Sequence, residues 1–473
     1  MQRLKIDQIE SIVKKHGMDV NLIIFDFLQK FKIKNICDRL KIKKADGYAV
    51  IELLLVVLTI PLFLAKNINS FYNSEFSWLF KMSRSAVYRF LNSSFYDWRK
   101  LIYRICLKFV CAFSSENEKD LTAFIIDDTT LNKEGYKCEK VTTVYDHLTK
   151  SFCYGFKQVT LAYCDGKSII PVDSSLHGEK ELSAKKIVRQ HSKVREASSL
   201  GAKRVREFFQ DKITSALGMV NRAIKAGLKA KYALFDSWYA SNDFVNSLVE
   251  KGLTVVCAIK TNRKCVYNCR ETKISDLVSL FKNMRKPKRC ARRNLKYFDA
   301  IIEIPGIGEV KICLCHKKGH KEWKAIISTD PTMTAKSIMK VYALRWSIEV
   351  FFKEAKGLLR MGKCQSVDFD AQISNISTSM ILYIIITYYR RINDFDTTGT
   401  LFEAARKEMC KKTMGELLWD FFVEIFDYIF KELYNEGKTT IKRIKNTLVF
   451  KKIEEILFRK NFDSEIKSLS YKS

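Results

Sequence analysis

At 473 residues and 47% hydrophobic content, the chain can bury a sizeable core spread over roughly two to four domains, which excludes general disorder. Its formal net charge of +31, from 83 Lys+Arg against 52 Asp+Glu, far exceeds what solubility needs. That surplus points to a polyanionic partner, nucleic acid first and an anionic membrane surface second.

No secretory signal is expected behind the charged opening MQRLKIDQIESIVKK, and the 14 cysteines are scattered, as reduced thiols would be. The apolar runs Leu53–Ala65 and Ser379–Tyr389 are shorter than the roughly 18 residues a membrane span requires, so no membrane contact is expected. The expected location is cytoplasmic, in association with the nucleoid.

Residues 1–117 read as helical throughout. Ile51–Leu64 is apolar nearly all round, as in a helix buried within a bundle. Phe76–Leu91 patterns as a short helix, a turn and a second helix with Ser83 as its N-cap. The outer side of that second helix carries Arg84, Ser85, Tyr88 and Arg89. Such a pair suits helix-turn-helix docking in a major groove, with Arg84 and Arg89 as DNA contacts, although many short helical pairs look the same.

From Leu121 the texture changes. Thr122–Ile126 reads as a short buried strand with Asp127, Asp128, Thr129 and Thr130 at its C-terminal end. Phe156–Tyr163 and Ser168–Val172 are two more strands, joined by the hairpin signal Asp165-Gly166. A polar, basic stretch from His177 to Arg206 runs into a helix through Ala226, which Gly227 stops. Tyr232–Asp236 is another strand ending in an acid, followed by a helix over Asn242–Lys251 and the strand Thr254–Ile259. This order predicts one α/β layer structure, whose ligands gather at the carboxyl ends of its strands.

Residues 263–336 break the rhythm. Arg293–Thr329 alternates apolar and polar positions around Pro305–Gly308, as an antiparallel β meander does, and a very basic segment, Lys282–Lys296, opens it. Val341–Lys356 then reads as one helix. Val341, Leu344, Ile348, Phe351 and Ala355 form its core-facing stripe. At about 100° per residue, Tyr342, Arg345, Glu349 and Lys356 fall within roughly 60° of one another beside that stripe. Alone, this face could be a solvated one with an Arg345–Glu349 ion pair. Beyond about residue 395 the chain reads as helical again.

Three acidic points stand out: Asp127/Asp128, Asp236 and Glu349. Each lies on or beside an apolar element, where an unpaired carboxylate is costly. Each acid alone could merely cap a helix. Together they could converge on Mg²⁺ or Mn²⁺, and two such ions support phosphoryl transfer. A zinc site would draw on Cys265, Cys269, Cys313, Cys315, His316 and His320, but the spacing fits buried thiols better. His147, His177 and His191 show no pairing with a serine or cysteine that would suggest nucleophilic catalysis.

Tyr342-x2-Arg345-x3-Glu349-x6-Lys356 resembles the Y-R-E-K signature of DDE transposases from bacterial insertion sequences, the fourth insertion-sequence family and its relatives. Ile126–Thr129 resembles that family's first acidic strand and Leu234–Tyr239 its second, so the likeness covers roughly residues 120–395. The resemblance implies an α/β, ribonuclease-H-like core in two parts, 118–262 and 337–395, interrupted by a β-rich insertion at 263–336. Helical regions at 1–117, expected to bind the terminal inverted repeats, and at 396–473 would flank it. It further implies catalytic and metal-binding roles for Asp127 or Asp128, for Asp236 and for Glu349, with Asp128, directly before the Thr, favoured of the pair. Tyr342, Arg345 and Lys356 would contact phosphates, and an aromatic of the insertion, with Trp323 as the guess, would hold a flipped base. The implied partners are Mg²⁺ or Mn²⁺, double-stranded DNA of the element's ends and target, and a second copy of the chain in the DNA complex. The basic stretches 185–206 and 282–296 would track DNA backbone. Two alternatives remain: a domesticated or inactive transposase that only binds DNA, and a host nuclease of the same fold.

Overall fold

The computed structural model of the chain describes residues 22–44, 47–63, 65–74, 77, 80, 82–114, 121–290, 294–317, 319, 322–393 and 397–406. The helices expected within 1–21 and 407–473 lie outside the described residues. The chain divides into two compact units.

The first unit takes the N-terminal residues to Leu91, Leu358–Gln365 and the chain from Tyr388 onward. Its helices are α1 (Leu22–Lys30), α2 (Ile33–Arg39), α3 (Val50–Thr59), α4 (Ile68–Tyr72) and α5 (Arg84–Leu91). Every residue of α3 except Glu52 is buried, which accounts for its almost wholly apolar sequence. Glu52 turns back to accept the Ala49 backbone N–H at 3.0 Å. Ser83 Oγ accepts the Ala86 N–H at 3.2 Å and so caps α5 as its sequence predicts. Ala86, Val87, Phe90 and Leu91 point inward from α5, leaving Arg84, Ser85 and Arg89 exposed.

The second unit, Asn92–Gly357 with Ser366–Thr387, is built on a twelve-stranded mixed sheet. Its strands are β1 (Ala123–Asn132), β2 (Thr142–Asp146), β3 (Ser151–Cys164), β4 (Ile169–His177), β5 (Tyr232–Phe235), β6 (Thr254–Ile259), β7 (Lys264–Tyr267), β8 (Arg270–Lys273), β9 (Lys288–Cys290), β10 (Leu295–Ile304), β11 (Gly308–Lys317) and β12 (Lys324–Ser328). They run in the order β2-β3-β1-β5-β6-β12-β11-β10-β7-β8, with β4 also on β3 and β9 on β10. Among the described residues, only β1–β5 and β5–β6 are parallel. This is a mixed α/β architecture, the fold class expected from the sequence.

One expectation needs correction here. β1 does not end at its acids: Asp127 pairs with Thr160, Asp128 with Val159, and the ladder with β3 continues to Asn132. The acids therefore sit inside the strand, because the polar run after Ile126 keeps an antiparallel partner. The meander joins the same sheet. β10 and β11 form the expected hairpin around Pro305–Gly308, and β12 pairs with β6.

The helices of this unit are α6 (Trp98–Ala112), α7 (Ala184–Val188), α8 (Leu200–Phe208), α9 (Lys212–Ala226), α10 (Asn242–Val249), α11 (Ile274–Met284), α12 (Ala335–Ala343) and α13 (Trp346–Gly357). Gly227 closes α9 in the left-handed region at φ 103°, where glycine carries no Cβ penalty. A further correction concerns Val341–Lys356, which is not one helix. The chain tightens between α12 and α13 through three-residue hydrogen bonds, Arg345 N–H to Tyr342 O and Ile348 N–H to Arg345 O.

Ser379–Tyr389 lies in the longer helix α14 (Phe369–Ile392). Among the described residues, α14 is the one helix long and apolar enough to cross a membrane, yet most of its apolar window is buried inside the protein. A buried core helix meets the same criterion, as the apolar burial of a domain interior requires.

Candidate active site

Strand register sets up the site. Ile125 of β1 lies opposite Leu234 of the parallel strand β5, so Asp127 and Asp236, each two residues on, arrive at the same level. Side chains alternate along a strand, and neighbouring acids must therefore leave opposite faces. Asp127 and Thr129 face α13: Arg345 donates to Asp127 Oδ2 at 2.7 Å, and Lys356 Nζ donates to Thr129 Oγ1 at 2.9 Å. Asp128 faces α9 and accepts from Lys212 Nζ at 3.1 Å, with Tyr239 Oη at 3.5 Å.

Arg345 also donates to Glu349, so one guanidinium bridges the first and third acids. The Arg345–Glu349 pair expected from spacing is thus present, as half of a larger arrangement. Asp236 accepts the Trp238 backbone N–H at 2.9 Å, which fixes the turn after β5.

Electrostatically the cluster is short of positive charge. Burial, above all, drives the Asp127 carboxyl up to about 7; Arg345 opposes this, while Asp236 and Asp128 add to it. A 2.7 Å ion pair would ordinarily push an acid the other way. Here the guanidinium is shared with Glu349 and does not offset the loss of water and two like charges. Tyr239 is fully buried and held well above its usual range by burial, then by Asp128, Asp127 and Asp236. Carboxylate oxygens alone form this donor set, the ligand chemistry that Mg²⁺ and Mn²⁺ favour, and the charge deficit suits a divalent cation. Among the described residues no group of three His, Cys, Asp or Glu side chains is close enough together in this structure to hold a metal ion.

The remaining candidates are spread more widely. Tyr342 is buried, its ring covered by Lys324 Nζ at 5.0 Å and the Arg345 guanidinium at 5.9 Å. Trp323 stacks on Phe298 at 5.2 Å, with His316 also at 5.2 Å. Arg84 and Arg89 are exposed on α5, in the first unit. Of the basic stretch 185–206, Lys193 and Arg195 are already engaged by Asp368, Asp370 and Glu139.

Sequence reasoning passed over three neighbours of the acids. Lys212 reaches Asp128 and lies 4.1 Å from the ring of Trp238, which is 47% exposed. Tyr239 packs beneath them. Trp238 and Tyr239 directly follow Asp236-Ser237, so their position beside an acidic strand end was the available signal. His177 has a serine neighbour: Ser175 Oγ lies 2.7 Å from its Nε2. Both are buried on β4, with His177 Nδ1 against Gln210 O, so the pair is a core contact closed to substrate. Cys313 and Cys315 bring their sulfurs to 3.3 Å on one strand face, as alternate residues do, and Cys313 is buried.

Comparison with known proteins gives two matches to family models. Residues 77–287 match the DDE superfamily endonuclease model, a span that includes Asp127, Asp128 and Asp236. Residues 212–385 match the transposase DDE domain, a span that includes Asp236 and Glu349. No curated protein matches the chain. Among solved structures, the NurA nuclease from Sulfolobus solfataricus aligns at 11% identity over 58% of this chain and 97% of its own, but a TM-score of 0.22 supports no inference. Both models describe DDE domains, so over residues 77–385 the chain is similar to DDE endonuclease and transposase domains.

Proposed function

We propose that this protein is the transposase of a bacterial insertion sequence, which binds the element's terminal inverted repeats and cuts and joins DNA strands with Mg²⁺ or Mn²⁺. The observation that carries this reading is the approach of Asp127 and Glu349 to a single guanidinium, with Asp236 level beside them. Asp127, Asp236 and Glu349 would hold the metal. Bound divalent ions supply an activated water or 3′-hydroxyl and stabilise the leaving oxygen.

The chain's own residues do the rest. Arg345, released from its two carboxylates, is placed to meet a phosphate, for which its fork is shaped. Lys356 lies one residue pair along β1, on Thr129, and can hold the next phosphate. Lys212 and Trp238 form a cationic, aromatic flank beside Asp236. Arg84 and Arg89 offer a basic helix face for end recognition, and binding is strongly salt-dependent because phosphate contacts release counterions. A second copy of the chain joins in the DNA complex, since two ends must be brought together.

The test uses DNA carrying the inverted repeats that flank the gene. Glu349→Gln is expected to lose cleavage by at least roughly 10³-fold while end binding stays within a few-fold, because only the metal-holding charge is removed. Full cleavage by this variant would falsify the assignment.

A further inference from the structure

A cavity of about 520 Å³ opens in the second unit between α6, α8, the C-terminal end of α9 and the start of α14. It is separate from the carboxylate site. Lys212 at the start of α9 touches Asp128, whereas Lys225 at the end of α9 lines the cavity, about 20 Å further along the helix at 1.5 Å per residue.

The cavity's charge is one-sided. Seven basic side chains line it against two carboxylates, Asp97 and Asp370. Both acids are already engaged: Asp97 by Lys100 at 3.2 Å, Asp370 by Lys193 at 2.8 Å and Arg195 at 2.9 Å. In the back wall, Arg99, Arg204 and Arg222 share Asp173 and Glu207, three cations on two anions. Burial, with Arg99 next to it, lowers the Arg204 guanidinium, while Glu207 and Asp173 oppose this. At the mouth, Arg104, Lys203 and Lys225 are exposed and have no carboxylate within ion-pair distance among the described residues. Leu107, Leu200 and Ile373 supply an apolar floor.

Guanidinium forks and ammonium groups around an apolar floor match a phosphate attached to a flat ring. The volume falls within the range of small-molecule sites, and suits one nucleotide rather than a length of duplex. We propose that this cavity binds a single nucleotide through its phosphate. Two sources share that chemistry: a free nucleotide and an unpaired nucleotide of a DNA strand. The proposal does not depend on the carboxylate site being catalytic.

The experiment uses the full-length protein and the double variant Lys203→Glu/Lys225→Glu, with Lys260→Glu/Lys336→Glu as an equal charge change elsewhere on the exposed surface. The probes are a methylanthraniloyl-labelled ATP and a fluorescein-labelled single-stranded oligonucleotide, both read by anisotropy. Thermal melting confirms that each variant is folded. If the labelled ATP binds and weakens at least tenfold only in the cavity variant, the site takes a free nucleotide. If only the oligonucleotide shows that selective tenfold loss, the site takes a nucleotide of a strand. Losses in the cavity variant no larger than those in the surface control, for both probes, overturn the proposal.

Discussion

Asp127 and Asp128 are neighbours in sequence but serve different faces of the sheet. Asp127 is held by Arg345 in company with Glu349, whereas Asp128 is held by Lys212 and Tyr239. The sequence likeness favours Asp128 as metal ligand; the geometry favours Asp127. Asp127→Asn is therefore expected to lose end cleavage by at least roughly 10³-fold, and Asp128→Asn to stay within about tenfold of the parent. Cleavage assays alongside gel-shift binding separate the two, and the opposite ranking would return the role to Asp128. The ambiguity has a physical root. A one-residue change of register exchanges the two faces of a strand, and the register of β1 is set by its ladder with β3, about thirty residues away in sequence. The presence of an acid here was legible locally; its direction was not.

β1 is positioned as an element by its close contact with β3. Gly155 lies opposite Asn132, and a Cβ there would come within 2.3 Å of the Leu131 carbonyl oxygen. That neighbour is backbone and cannot swing aside, so Gly155→Ala must displace the end of β1. The expected cost is roughly 1–3 kcal/mol of unfolding free energy, read as a lower urea midpoint. An unchanged midpoint would mean that the two strands separate freely there. Elements with strong local signals were legible: the hairpin at Asp165-Gly166, the Gly227 stop, and the strand Thr254–Ile259 all lie where their residues put them. The break between α12 and α13 was not, because no Gly or Pro marks it. Its tight turn advances about 120° per residue instead of about 100°, which brings Tyr342 and Arg345, three apart, into line, with the Arg345 guanidinium 5.9 Å from the Tyr342 ring. A helical wheel drawn through Leu344 and Arg345 carries the wrong phase from that point backward.

For the second unit as a whole, buried ion networks join elements far apart in sequence. Asp173 of β4 meets Arg99 of α6 at 2.6 Å and Arg222 of α9 at 2.9 Å, while Glu207 of α8 meets Arg99 at 2.9 Å. Glu139 joins Arg195 at 2.6 Å and accepts the Phe369 N–H at 3.1 Å, tying the β1–β2 connection to the start of α14. Burial pushes the Asp173 carboxyl upward, but Arg99, Arg222 and Arg204 outweigh it and hold it far below the usual carboxylate range. Glu207 is lowered in the same way by Arg99 and Arg204 against burial, and Glu139 by Arg195 and the Phe369 N–H against burial. A carboxylate whose folded value is depressed binds fewer protons folded than unfolded. Its stabilisation is therefore complete above the unfolded value, about 4, and is lost as pH falls through the folded one. Unfolding free energy should hold steady with respect to these groups above about pH 5 and drop steeply below about pH 4. Asp173→Asn separates this from the general repulsion of a chain at +31, which both proteins share to within one charge. The variant should begin roughly 3–5 kcal/mol less stable at neutral pH, because it leaves buried guanidiniums short of an anion. It should then fall less steeply in acid than the parent. Urea midpoints measured from pH 7 to pH 2 give both quantities, and parallel curves for the two proteins would show that Asp173 has no part in the acid sensitivity.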